Sequence, residues 1–131
     1  MNVPFPTCPL FVLIVEDNDN SAHSLAILIR YFGHEAIVAH DGPEAVDSLR
    51  VVSPDVILMD IGLPCEDGYA LTKRLCGLLN YGPLLVAVTG YGDLAERSKQ
   101  VGFHYHFEKP IDPQHLGDLL DAYAYRLFVR R

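Results

Sequence analysis

The sequence predicts an α/β domain built on a parallel sheet, and three observations carry that expectation. Short apolar runs alternate with helical patterns along the 131 residues. The runs at 10–15, 55–59 and 84–89 are nearly continuous in Val, Ile and Leu, as strands covered on both faces require. No linker, repeat or low-complexity stretch breaks the alternation, so one domain with right-handed crossovers is expected.

Taken in order, residues 1–9 hold three prolines and are expected to form an N-terminal extension, with the folded domain running over 10–131. Strands are expected at 10–15, 36–40, 55–59, 84–89 and 104–108. Residues 21–32 place Ala22, Leu25, Ala26, Ile29 and Phe32 on one helical face, with Asp19 or Asn20 as cap and Gly33 as stop. Pro43 suits the first turn of a second helix carrying Ala45, Val46, Leu49 and Val52. A third helix over 68–79 is expected to bury Leu71, Leu75, Leu78 and Leu79 before Gly82-Pro83 ends it. Residues 93–101 offer few apolar anchors and predict a marginal helix, among the less stable parts of the fold. The last helix carries the clearest stripe: Leu116, Leu119, Leu120, Tyr123, Ala124, Leu127 and Phe128.

Composition narrows the function classes. Half the residues are apolar and the formal net charge is −7, which fits a folded soluble domain and argues against a nucleic-acid surface. Cys8, Cys65 and Cys76 are odd in number and lack metal-ligand spacing, so neither a disulfide framework nor a zinc site is expected. The start carries no basic residue and no apolar run approaches a membrane span, so a cytoplasmic protein without membrane insertion is expected.

In open parallel sheets, ligands bind beyond the carboxyl ends of the strands, near the point where strand order reverses. Asp17 follows the first strand, Asp60 ends the third, Thr89 ends the fourth and Lys109 follows the fifth; Glu16 adds a third carboxylate. Singly, each has an ordinary explanation. Asp17 and Asp60 fit turn chemistry, Thr89 fits a loop start, and Lys109 fits a solvated surface. Together at one sheet edge they point to a site. Carboxylates ~5 Å apart at an effective dielectric of ~20 repel by roughly 3 kcal/mol per pair. A divalent cation relieves that repulsion, and an all-oxygen ligand set favours Mg²⁺, with Mn²⁺ as a substitute. A carboxylate beside such an ion, with a lysine and a hydroxyl nearby, meets the needs of phosphoryl transfer.

At this point the chain resembles a response-regulator receiver domain over roughly residues 10–128. The resemblance rests on Leu13-Ile14-Val15-Glu16-Asp17-Asn18, Met59-Asp60-Ile61-Gly62-Leu63-Pro64, Asp67-Gly68-Tyr69, Val88-Thr89-Gly90, and Gly102-Phe103 leading to Lys109-Pro110. The wording is closest to receivers associated with hybrid histidine kinases. The resemblance implies a flavodoxin-like (βα)5 three-layer sandwich with a five-stranded parallel sheet of order 2-1-3-4-5. It implies Asp60 as phosphoacceptor, and Mg²⁺ held by Asp17, Asp60 and the Gly62 carbonyl, with Glu16 acting through water. Thr89 and Lys109 would bind the phosphoryl oxygens, and the Lys109–Pro110 peptide would be cis. The phosphoryl donor would be a histidine kinase or histidine phosphotransfer protein, and phosphorylation would switch binding to a downstream protein partner. The switch pair would be Thr89 and the residue three before the lysine, usually Tyr or Phe in the family. Here that residue is His106.

The same residues bear on other functions. A dinucleotide-binding domain is excluded because Glu16-Asp17-Asn18-Asp19 places negative charge where a pyrophosphate would sit. An aspartyl-nucleophile phosphohydrolase would want a second acid two residues past Asp60, where Gly62 stands. A phosphorylation-independent adaptor on the same fold would not need the whole acidic, Thr and Lys set. His104 and His106 could share a strand face and ligate a metal, but no Cys or third His stands nearby in sequence. The reading is a signalling domain rather than an enzyme.

Overall fold

The structure is a computed structural model that describes residues 9–62, 67–90 and 102–130. Strands β1 (Phe11–Val15), β2 (Glu35–Ala39), β3 (Val56–Asp60), β4 (Leu84–Thr89) and β5 (Tyr105–Glu108) form one sheet in the order β2-β1-β3-β4-β5. Every pairing is parallel. Among the described residues the helices are α1 (Asp19–Tyr31), α2 (Gly42–Ser48), α3 (Gly68–Gly77) and α4 (Pro113–Arg130). The helix expected at 93–101, Tyr91, and nearly all of the N-terminal extension lie outside the described residues.

Side-chain alternation along the strands sorts the core into two layers. Leu13, Val15, Ile57, Met59, Leu85 and Ala87 point toward Ala45 of α2 and Leu71 and Leu75 of α3. Val12, Ile14, Val56, Leu58, Val86 and Val88 point the other way, toward Ala26 and Ile29 of α1 and Leu116, Leu120 and Ala124 of α4. The result is the three-layer sandwich. The three strands that read as continuous apolar runs are the three interior ones. Strands β2 and β5, more mixed in sequence, are the edges and are only partly buried. Each fully buried Leu or Ile contributes roughly 1.5–3 kcal/mol.

The helix ends follow local chemistry, with several differences from the sequence expectation. The cap of α1 is Asn18, not Asp19 or Asn20: its side-chain oxygen accepts the Ser21 N–H at 2.9 Å. Asp19 is instead drawn to the ring of His40, whose Nε2 lies 2.8 Å from its carboxylate. Gly33 stops α1 as expected, at φ 92°, a conformation that costs glycine nothing. Helix α2 ends at Ser48, so Leu49 and Val52 lie beyond it. Residues 49–51 close in i→i−3 bonds ahead of Ser53-Pro54, where the chain turns extended toward β3. Leu78 and Phe128, both expected in the core, are 56% and 46% exposed. Their neighbours Leu79 and Leu127 take the core-facing positions instead and pack against the two layers.

One buried polar contact has no signature in the sequence. His34, between α1 and β2, has a fully buried side chain whose Nδ1 accepts the Leu10 N–H at 3.0 Å. Its proton therefore sits on Nε2 and is donated to Asp121 of α4 at 3.1 Å. This single ring ties the entry of β1 to the last helix. His34→Ala should lower stability by about 2–4 kcal/mol, combining a cavity with an orphaned buried N–H. Asp121→Ala should cost much less, because that carboxylate is 40% exposed. Urea midpoints of the two variants check the contrast.

Candidate functional site

Strand order reverses between β1 and β3, and their register pairs Val15 with Met59. One residue further on, Glu16 and Asp60 stand side by side at the carboxyl edge. The next residue, Asp17, lies in the turn that Asn18 closes into α1. Ligand atoms of Glu16, Asp17 and Asp60 all lie within 4.8 Å of one another. Glu16 and Asp60 are buried, and Asp17 faces solvent.

Lys109 reaches into this cluster from the end of β5. Its Nζ donates to Glu16 Oε1 at 3.0 Å and to Asp60 Oδ2 at 3.2 Å. The free Asp60 oxygen, Oδ1, accepts the Gly62 N–H at 3.0 Å, and Glu16 Oε2 accepts the Asn18 N–H at 3.3 Å. Lys109 is itself fixed by its N–H, which donates to the Thr89 carbonyl at 2.8 Å, and the Lys109–Pro110 peptide is cis. Thr89 ends β4 with its side chain buried.

The electrostatics of the cluster are strained. Burial, then the neighbouring Asp60 carboxylate, pushes Glu16 from 4.5 up to about 7, against the opposing pull of Lys109. Burial alone would lower the Lys109 ammonium. The hydrogen bond to Glu16 and the charges of Asp60 and Glu16 outweigh burial and leave it raised. One cation is shared by two buried carboxylates, with a third at the rim. Such a site is short of positive charge, and its donors are all hard oxygens. It fits a divalent cation of the Mg²⁺ type.

His104, just before β5, and His106 within it do not converge. His104 Nδ1 accepts the Leu85 N–H at 2.9 Å and is committed to the start of β4. His106 pairs in register with Ala87, as Glu108 does with Thr89, so His106 and Thr89 share one sheet face. Its Nε2 is buried and has no hydrogen-bond partner among the described residues. Among those residues the acidic trio is the one group of three or more ligand side chains placed to hold a metal, and neither His104 nor His106 belongs to it. Beside the acidic edge opens a cleft of about 740 Å³ between α1 and the turn before α4. Glu16 and Lys109 line it together with Leu25, Leu28 and Ile111.

The sequence expectation placed Asp17, Asp60, Thr89 and Lys109 at one edge, and there they stand. It did not foresee that Lys109 would grip Glu16 directly across 93 positions of chain. No spacing signal links residues so far apart.

Fold and site together define an open α/β domain whose sheet edge concentrates three carboxylates and a lysine at the strand-order reversal. Residues 12–121 match the response regulator receiver domain, and the chain belongs to that family of two-component signalling domains. It is 38% identical over 120 residues to the polar-differentiation response regulator DivK of Brucella anthropi, covering 88% of this chain and 96% of that one. Sporulation initiation phosphotransferase F of Bacillus subtilis is 29% identical over 114 residues, covering 86% and 91%. Among solved structures, a CheY-like receiver domain from Methylobacillus flagellatus superposes with TM-score 0.80 at 30% identity, covering 88% of this chain and 98% of that one. The receiver domain of a sensor histidine kinase from Pseudomonas aeruginosa, described with a magnesium ion coordinated in its active site cleft, gives TM-score 0.75 at 28% identity, covering 89% and 98%. No helix among the described residues is long and apolar enough to cross a membrane.

Proposed function

We propose that Asp60 accepts a phosphoryl group from a phosphohistidine of a histidine kinase or histidine phosphotransfer protein, and that the added charge switches binding to a downstream partner. The observation that carries this reading is the shared lysine: Lys109 lies within 3.2 Å of Asp60 and 3.0 Å of Glu16 at the sheet edge. In the reaction, an Asp60 oxygen attacks phosphorus in line as the donor's P–N bond breaks, and the imidazole leaves as a neutral ring after taking a proton. Lys109 and Thr89 hold the equatorial phosphoryl oxygens. The Gly62 N–H fixes the rotation of the Asp60 carboxylate before the donor arrives.

Asp17, Asp60 and the Gly62 carbonyl would hold Mg²⁺, with Glu16 acting through water. When bound, the ion neutralises charge on the carboxylates and the transferring group. The ligand of the relative from Pseudomonas aeruginosa supports that choice of ion.

Thr89 and His106 form the switch in this reading. Their common sheet face supports the pairing, and so does the buried Nε2 of His106. Pairing a buried nitrogen that has no partner among the described residues is worth roughly 1–3 kcal/mol, so a rotation that does so is favoured once the neighbourhood shifts. The receiver unit spans residues 10–131, and it acts as a phosphoacceptor rather than a turnover enzyme.

The test is mass spectrometry after incubation with phosphoramidate and Mg²⁺. One phosphoryl group per chain is expected on the wild type and none on Asp60→Ala. Sustained release of phosphate from a phosphomonoester would instead make the protein a hydrolase. Unchanged partner binding on beryllofluoride addition would make it a phosphorylation-independent adaptor.

A further inference from the structure

We propose that Gly68 is a positioning residue for Asp60, its missing side chain letting the first turn of α3 seat against the backbone of the acceptor. The inference rests on the phosphoryl acceptance proposed for Asp60 and adds a residue to that site. A Cβ built on Gly68 would lie 3.2 Å from the Asp60 carbonyl oxygen, 3.2 Å from Ile61 Cα and 3.4 Å from the Ile61 carbonyl oxygen. All three are backbone atoms, and none can swing aside as a side-chain tip would. Local conformation does not explain the glycine. Among the described residues the positive-φ glycines are Gly33 and Gly102, so Gly68 has a backbone open to any L-residue. At a helix start, alanine would be the better helix former.

What lies above Gly68 supplies the reason. The Asp60–Gly62 backbone is held on its β4 side by the Ile61 N–H, which donates to the Val88 carbonyl at 2.9 Å. From below it rests on Gly68. The α3 turn that presents Gly68 is fixed in turn: Asp67 caps it through the Tyr69 N–H at 2.9 Å, and Thr72 Oγ1 donates to the Gly68 carbonyl at 2.8 Å. Neither neighbour of the contact is free to yield. A methyl group at 68 therefore displaces the chain at Asp60 by a few tenths of an ångström, and with it the carboxylate that Gly62 and Lys109 orient.

The experiment compares Gly68→Ala with Gly77→Ala, which adds the same methyl to the same helix where nothing lies within 4 Å. Gly77→Ala should accept phosphate from phosphoramidate at the wild-type rate. Gly68→Ala should be slower by about tenfold or more, the scale of misplacing a reacting group by a fraction of an ångström. In the metal-free, donor-free protein, exchange of the Ile61 amide should also quicken by about tenfold in Gly68→Ala alone. Both readouts are repeated in 1 M sucrose, which restores a marginal fold without touching the contact. A wild-type rate and wild-type Ile61 exchange in Gly68→Ala, in buffer or in sucrose, would overturn the inference. If the wild type itself takes no phosphate, the acceptor reading of Asp60 falls, and the exchange comparison still decides whether Gly68 holds that backbone.

Discussion

Lys109→Met is expected to slow phosphoryl acceptance at Asp60 by about 10²–10³-fold, the usual consequence of removing one preorganised donor from a transferring group. Methionine keeps most of the apolar stem and removes the charge, so the apolar lining of the cleft beside Ile111 and Val88 should survive. Both buried carboxylates lose their shared cation. Asp60 and Glu16 then repel without compensation, and Glu16, which Lys109 now pulls down, should titrate above its present value of about 7. Single-turnover kinetics with phosphoramidate read the first effect, and a pH titration of the Glu16 carboxyl by NMR reads the second. A variant that accepts phosphate at the wild-type rate would remove Lys109 from the mechanism.

Glu16 should couple both stability and metal binding to pH. Its folded value of about 7 lies above the ordinary 4.5, so the metal-free folded state binds this proton more tightly than the unfolded chain does. The stabilisation is complete below 4.5 and is lost as pH rises through 7. Urea midpoints at pH 5 and pH 8 should therefore differ in the wild type by more than in Glu16→Gln, which has no proton to lose. Saturating Mg²⁺ should flatten the wild-type slope, because the ion favours the ionised carboxylate. Conversely, Mg²⁺ affinity should fall as the pH drops below 7, up to about tenfold per unit where protonated Glu16 dominates. Isothermal titration in two buffers of different ionisation enthalpy should show proton release on Mg²⁺ binding. A slope identical in wild type and Glu16→Gln would locate the linkage elsewhere.

Much of the architecture could be read before any coordinates. Apolar runs without alternation marked β1, β3 and β4 as interior strands, and the strand order places them there. Gly33 announced the end of α1 because a positive φ is a local demand that one residue satisfies. Boundaries were less legible. Asn18 won the cap of α1 from Asp19 because His40, arriving from β2, offered Asp19 a different partner. Leu78 and Phe128 continue an apolar stripe in sequence, yet both are half exposed while Leu79 and Leu127 beside them pack on the core. Periodicity records which face is apolar; it does not record how far the facing surface extends.

The sequence by itself determined the sheet, its carboxyl edge, and the identity of the residues delivered there: Glu16, Asp17, Asp60, Thr89 and Lys109. Those depend on local pattern, since a parallel strand hands its next residue to the same edge whatever lies beside it. Tertiary structure alone decided how these groups meet. The grip of Lys109 on Glu16 and Asp60 and the rise of Glu16 to about 7 join segments far apart in the chain, and the seat of Asp60 on Gly68 depends on how the next helix packs under the strand end. Their strength depends on distances of a few ångströms and on exclusion of water, and neither quantity is written in the order of residues.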